Sequence, residues 1–97
     1  MATNHDKTAE RIARKEGVAY NRGQGPDVIG NKRAVEVESK GTVDEGFRQL
    51  QGYRKPVYIA GADAEATKAA RRAAKGTTVG VMDQHGQVVK RSTRKRG

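Results

Sequence analysis

The stretch from Gly25 to Lys40, Gly-Pro-Asp-Val-Ile-Gly-Asn-Lys-Arg-Ala-Val-Glu-Val-Glu-Ser-Lys, constrains this chain more than any other. Pro26 fixes the backbone in an extended direction and has no N–H to donate, so Asp27-Val28-Ile29 opens a strand. Gly30-Asn31-Lys32 is turn chemistry, and Arg33 to Ser39 then alternates apolar and acidic residues. A period of two sends Val35 and Val37 to one face of a strand and Glu36, Glu38 and Lys40 to the other. The two arms pair as an antiparallel hairpin. With Asp27 on the neighbouring arm, three carboxylates and an ammonium converge at one place. A surface strand more often alternates signs, so this cluster points to a divalent metal, because hard cations select oxygen ligands.

The flanking segments alternate between helical and strand periods. Lys7 to Glu16 reads as a helix, with Ala9, Ile12, Ala13 and Glu16 on one stripe, Asn4 or Asp6 as the cap, and Gly17 as the stop. Glu10 lies on the flank of that stripe. It either looks along the core edge toward a site or stands in water paired with Arg14. Val18 to Asn21 reads as a short strand, and Arg22-Gly23-Gln24-Gly25 as a polar link. From Val43 to Tyr53 the period is helical: Val43, Phe47 and Leu50 share a face, Thr42 and Glu45 make a capping box, and Gln49 and Tyr53 share an adjoining face. Val57 to Ala60 suits a buried central strand.

Asp63 caps an alanine-rich helix, Ala64 to Lys75, closed by Gly76. Its Lys68, Arg71, Arg72 and Lys75 form an outer positive face. Thr77 to Met82 is a strand, Asp83 to Gly86 a turn, and Gln87 to Lys90 an edge strand. Residues 91–97 read as a basic, disordered tail, leaving 1–90 as a single domain. The order αβββαβαββ predicts an α/β fold with a mixed central sheet flanked by helices.

Composition narrows the partners. A chain of 97 residues with 34% hydrophobic and 4% aromatic content builds one thin core, which dimerisation would help to cover. A formal charge of +9 points to a polyanion, with nucleic acid the first candidate. No run approaches the ~20 apolar residues of a membrane span, the start lacks a signal-peptide pattern, and a cytoplasmic location is expected. With no cysteine, thiolate metal sites are excluded. His5 and His85 stand without a second ligand at metal-site spacing and read as surface residues. Gly23 and Gly25 are not followed by a Lys-Ser/Thr step, so no nucleotide cofactor is expected.

Pro26-Asp27 on one strand, Glu36-Val37-Glu38 on the next, and Gln49-Leu50-Gln51-Gly52-Tyr53 on the following helix resemble the PD-(D/E)xK nuclease superfamily. Within it, small archaeal Holliday-junction resolvases and RecB-like nuclease domains look most similar, over about residues 8–90. The resemblance implies a restriction-endonuclease-like core and a Mg²⁺- or Mn²⁺-dependent endonuclease acting on duplex or branched DNA, with RNA less favoured, as a homodimer. It implies Asp27, Glu36 and Glu38 as metal ligands, the Val37 carbonyl as an extra oxygen, Glu10 as the acid of the first helix, and Gln49 and Tyr53 as site-lining residues. The family's Lys two residues after the acid is Glu38 here, so Lys40 would have to supply the ammonium. Glu38-Ser39-Lys40 is the other way to read the Glu-x-Lys step. Phosphate contacts are expected from Arg22, Lys32, Arg33, Lys90, Arg91, Arg94, Lys95 and Arg96. A catalytically degenerate nucleic-acid-binding module with the same fold is the alternative, and a small ribosome-associated or RNA-packaging protein a third reading, resting on charge alone.

Overall fold

The computed structural model describes residues 4–95. They form α1 (Asn4–Glu16), β1 (Val28–Ile29), β2 (Ala34–Glu38), a 3₁₀ turn (Lys40–Thr42), α2 (Val43–Gln49), β3 (Val57–Gly61), α3 (Ala64–Ala74), β4 (Gly80–Met82) and β5 (Val88–Lys90). All five strands join one sheet in chain order. β1–β2 and β4–β5 are antiparallel, whereas β2, β3 and β4 run parallel. This is an α/β fold with a mixed sheet between helices. Its order is αββαβαββ, one strand fewer than αβββαβαββ.

The missing strand is Val18–Asn21. The Asn21 backbone N–H does reach the Asp27 carbonyl, at 2.7 Å, but its side chain takes over the rest of the segment. The Asn21 amide donates to the carbonyls of Gln24 (2.8 Å) and Pro26 (2.9 Å), and its carbonyl accepts from Gly23 N–H. An Asn that bonds its own loop competes with a ladder, so the segment folds as a loop around that side chain.

The period-two reading of β2 holds. Val35 and Val37 join Ala9, Ile12 and Ala13 of α1, with Val28, Tyr58, Ala60 and Met82, in one core. Ala34 joins Val43, Leu50, Val57, Ile59, Ala70, Ala74 and Val81 in a second core beneath α2 and α3. Alternation then turns Glu36 and Glu38 toward the α2–α3 layer. Every residue of β2 is buried. Alanines on α1 and α3 allow close approach of both helices, so a thin supply of large side chains fills two layers.

Helix α2 is shorter than the expected Val43–Tyr53. Gly52 has φ +84°, a left-handed position that stops a helix and favours glycine. Thr42 makes no cap bond to α2; its hydroxyl accepts from Ser39 N–H at 3.0 Å, and Glu45 pairs with Arg48 at 3.2 Å. Gly46 lies where α2 presses onto the sheet. A Cβ there would collide with Ile59 Cδ1 and stand 2.7 Å from Glu38 Cγ. Overpacking of this kind costs about 1–3 kcal/mol, more than the ~1 kcal/mol of helix propensity gained from Gly to Ala. Gly46→Ala should therefore lower stability by up to about 2 kcal/mol, read as a shift in the urea midpoint at unchanged slope.

The capping of α3 follows the sequence: Asp63 Oδ1 accepts from Ala66 N–H at 2.8 Å, and Gly76 closes the end at φ +79°. The turn from Asp83 to Gly86 is built as expected, with Asp83 Oδ1 accepting from the N–H groups of His85 and Gln87. Of the stretch read as a disordered tail, Ser92 to Arg94 is tied to the fold. Ser92 Oγ donates to the Thr78 carbonyl (2.8 Å) and accepts from Val57 N–H (3.2 Å). Arg94 Nη1 donates to the carbonyls of Leu50 (2.7 Å) and Tyr53 (3.2 Å). Among the described residues no helix is long and apolar enough to cross a membrane.

Candidate metal and phosphodiester site

The β1–β2 register sets the site. Val28 pairs with Val35, so the residue before Val28 lies opposite the residue after Val35, which are Asp27 and Glu36. The Asp27 backbone N–H donates to Glu36 Oε1 at 3.2 Å, and Asp27 Oδ2 accepts from Val37 N–H at 2.9 Å. Pro26 and Asp27 have left the strand ladder, so the Asp27 side chain takes the Val37 N–H that a ladder carbonyl would otherwise accept. Glu36 is 5% exposed and Glu38 8%, and the Asp27 side chain is 14% exposed.

Three carboxylates at this depth carry a penalty that arginine or lysine usually relieves. Among the described residues neither Glu36 nor Glu38 has an ion-pair partner. Burial pushes the Glu36 carboxyl up to about 9, reinforced by its hydrogen bond to the Asp27 side chain and by the charges of Asp27 and Glu38. Burial also raises Glu38, and Asp27 and Glu45 add to the rise, while the Thr42 hydroxyl and His5 act against it.

His5 belongs to this site, contrary to its reading as a surface residue. Its Nε2 lies 3.1 Å from Asp27 Oδ2, and its Nδ1 lies 3.3 Å from the Tyr20 hydroxyl. Tyr20 donates to Asp6 Oδ1 at 3.0 Å, and burial, aided by that bond and by Asp27, pushes its phenol up to about 12. Tyr20 therefore stays a neutral donor that holds the first turn of α1 over Asp27. No spacing in the sequence reveals this. The link is made by a loop that carries Tyr20 back over the helix start.

Of the other expected site residues, Tyr53 has its hydroxyl beside Gly25, two residues before Asp27, and the rest are placed elsewhere. Glu10 is exposed and paired with Arg22 at 2.9 Å, a third outcome beside the two its helix position allowed. Lys40 follows the end of β2, so the alternation that would aim it beside Glu36 has stopped; it is exposed on the 3₁₀ turn. Gln49 is exposed at the last position of α2, and Tyr53 lies beyond the helix, half-buried against the second core. The two are not neighbours on one helix face.

Several cations expected to meet phosphate have protein partners. Arg22 sits 4.4 Å over the Tyr20 ring in addition to its pairing with Glu10. Arg33 pairs with Glu16 at 2.9 Å and lies over the Tyr58 ring. Lys90 Nζ donates to the Val79 carbonyl at 2.6 Å, and Arg94 is held as described. Lys32, Arg91 and Lys95 are exposed, and Arg96 lies outside the described residues.

Among the described residues no set of three His, Cys, Asp or Glu side chains is arranged to hold a metal. Asp27 and Glu36 are nevertheless an adjacent pair of hard-oxygen donors that meet no lysine or arginine among the described residues, His5 being the one basic group on Asp27. Mg²⁺ fits such a pair, because it is usually bound by one or two carboxylates and keeps several waters or substrate phosphates. Compared with protein-family models, curated proteins and solved structures, the chain matches none.

Proposed function

We propose that the chain is a Mg²⁺- or Mn²⁺-dependent endonuclease that hydrolyses phosphodiester bonds in DNA, on a restriction-endonuclease-like core. The observation that carries this reading is the Asp27–Glu36 pair at the open end of the β1–β2 hairpin, with Glu36 buried, Asp27 half-buried, and neither paired with a lysine or arginine among the described residues of a chain of charge +9. The hairpin followed by α2 and the parallel strand β3 agrees with the order the resemblance implies, although the strand expected before it is a loop.

Asp27 and Glu36 would hold the metal, which when bound lowers the pKa of its water and neutralises charge growing on the phosphate. The chain's own residues do the rest. Val37 N–H and His5 fix Asp27 Oδ2 in place, and the Asp27 N–H fixes Glu36 Oε1. The surrounding positive charge attracts the phosphate backbone, and a cation held by the acid pair would offset the repulsion between those acids and the phosphate. Two copies would cut two strands.

A second reading is a nucleic-acid-binding module that has lost catalysis. It is favoured by Glu38, which stands where the family has Lys and lies under Gly46 of α2. Incubating the purified chain with linear, branched and single-stranded DNA in Mg²⁺, Mn²⁺ or EDTA separates the two. Metal-dependent cleavage is expected; salt-sensitive binding with no cleavage in either metal gives the module.

A further inference from the structure

We infer that the outer face of α1, with the β1–β2 turn, is the track that seats the sugar–phosphate backbone of duplex DNA beside the acid pair. This rests on the nuclease reading of Asp27 and Glu36. Lys7, Arg11 and Arg14 are exposed and line one shallow cleft on α1. At seven residues' separation, Lys7 and Arg14 lie on the same side of the helix, about 10 Å apart along its axis. A second cleft, lined by Lys15, Glu16, Asn31, Lys32 and Arg33, lies between the end of the helix and the turn.

The acids of this surface already have basic partners, one of which, Arg33, lines the second cleft itself. Glu10 is taken by Arg22 and Glu16 by Arg33, each at 2.9 Å, so among the described residues Lys7, Arg14 and Lys32 have no acidic partner. Arg11 and Lys15 donate to the carbonyls of Gln84 (2.6 Å) and His85 (2.9 Å). Those bonds hold the two side chains in place and leave their charge intact. The N-terminal turn of α1 also reaches the site: His5 touches Asp27, one helical turn or less along the axis from Lys7. A duplex rises about 3.4 Å per nucleotide along its axis, so the ~10 Å from Lys7 to Arg14 matches the rise of about three nucleotides. The outer face of α3 is as basic, but among the described residues no hydrogen bond or ion pair joins α3 to Asp27 or Glu36, whereas α1 reaches Asp27 through His5.

The test compares Lys7→Gln/Arg14→Gln/Lys32→Gln with a charge-matched control, Lys68→Gln/Arg71→Gln/Arg72→Gln on α3. Binding of a short fluorescent DNA duplex is followed in EDTA across a salt series, with circular dichroism confirming that both variants are folded. Each lost phosphate contact lowers the slope of log K against log salt by about 0.9. The α1 variant should lose about 2.7 in slope, and the control much less. Equal losses from both variants, or none from the α1 variant, overturn the assignment. Binding of an RNA duplex but not DNA through these residues overturns the choice of DNA. A wild-type chain that cleaves DNA while the α1 variant binds unchanged removes this inference alone. A wild type that binds through α1 and never cleaves removes the nuclease reading and leaves the track.

Discussion

Asp27→Ala and Glu36→Ala will each lower Mg²⁺-dependent DNA cleavage about a thousandfold or more, because several kcal/mol of charge stabilisation in the transition state disappear and each 1.36 kcal/mol is tenfold in rate. Duplex binding in EDTA should persist. Removing a carboxylate from a chain of charge +9 weakens no attraction to phosphate. Both residues are needed as oxygen donors, each held by a backbone amide: Asp27 N–H donates to Glu36 Oε1, and Val37 N–H donates to Asp27 Oδ2. Glu38→Ala should do less, because that side chain lies beneath α2 against Gly46. The check is a single-turnover cleavage assay on whichever DNA the wild type cuts. Undiminished cleavage by both alanine variants would remove the site assignment.

Glu36→Gln should stabilise the fold in EDTA, and the gain should grow with pH. Glu36 has its pKa raised from 4.5 to about 9, so between those values the folded chain holds a proton that the unfolded chain has released. Unfolding then releases protons, and stability falls as pH rises, by up to about 1.4 kcal/mol per pH unit. The stability is fully present below 4.5 and is lost as pH climbs through about 9. Gln imitates the protonated acid: its carbonyl accepts from Asp27 N–H and its amide donates to the Asp27 carboxylate. The variant should match the wild type near pH 4 and exceed it by on the order of 2–3 kcal/mol at neutral pH. That is comparable to fully burying one Val or Ile, and a sizeable part of a typical 5–15 kcal/mol total. Urea unfolding across this range decides it; parallel curves for the two proteins would contradict the buried-acid account.

The parts of the fold set by local chemistry were readable from the residues. Pro26, the turn opened by Gly30 and the alternation from Ala34 to Glu38 mark the hairpin. Asp63 and Gly76 bracket α3, and Asp83 to Gly86 marks the last turn. What escaped was decided by contacts between distant segments, or by side chains competing with the backbone. Asn21 has strand-like neighbours, but its amide bonds the carbonyls of Gln24 and Pro26, and the strand does not form. Gly52 ends α2 early and separates Tyr53 from Gln49. The site was half legible. Asp27 and Glu36 follow from register, whereas His5 depends on Tyr20 folding back onto α1. The basic residues followed the same pattern. Charge alone does not separate Arg22, Arg33 and Arg94, which brace the fold, from Lys7, Arg14 and Lys32, which do not.

Calorimetric titration of the metal-free chain with Mg²⁺ or Mn²⁺ tests most directly whether the buried acid pair is a cation site. Saturable uptake by the wild type, lost in Asp27→Ala and in Glu36→Ala, is the predicted result. Heats no larger than dilution, or the same uptake in all three proteins, would contradict it.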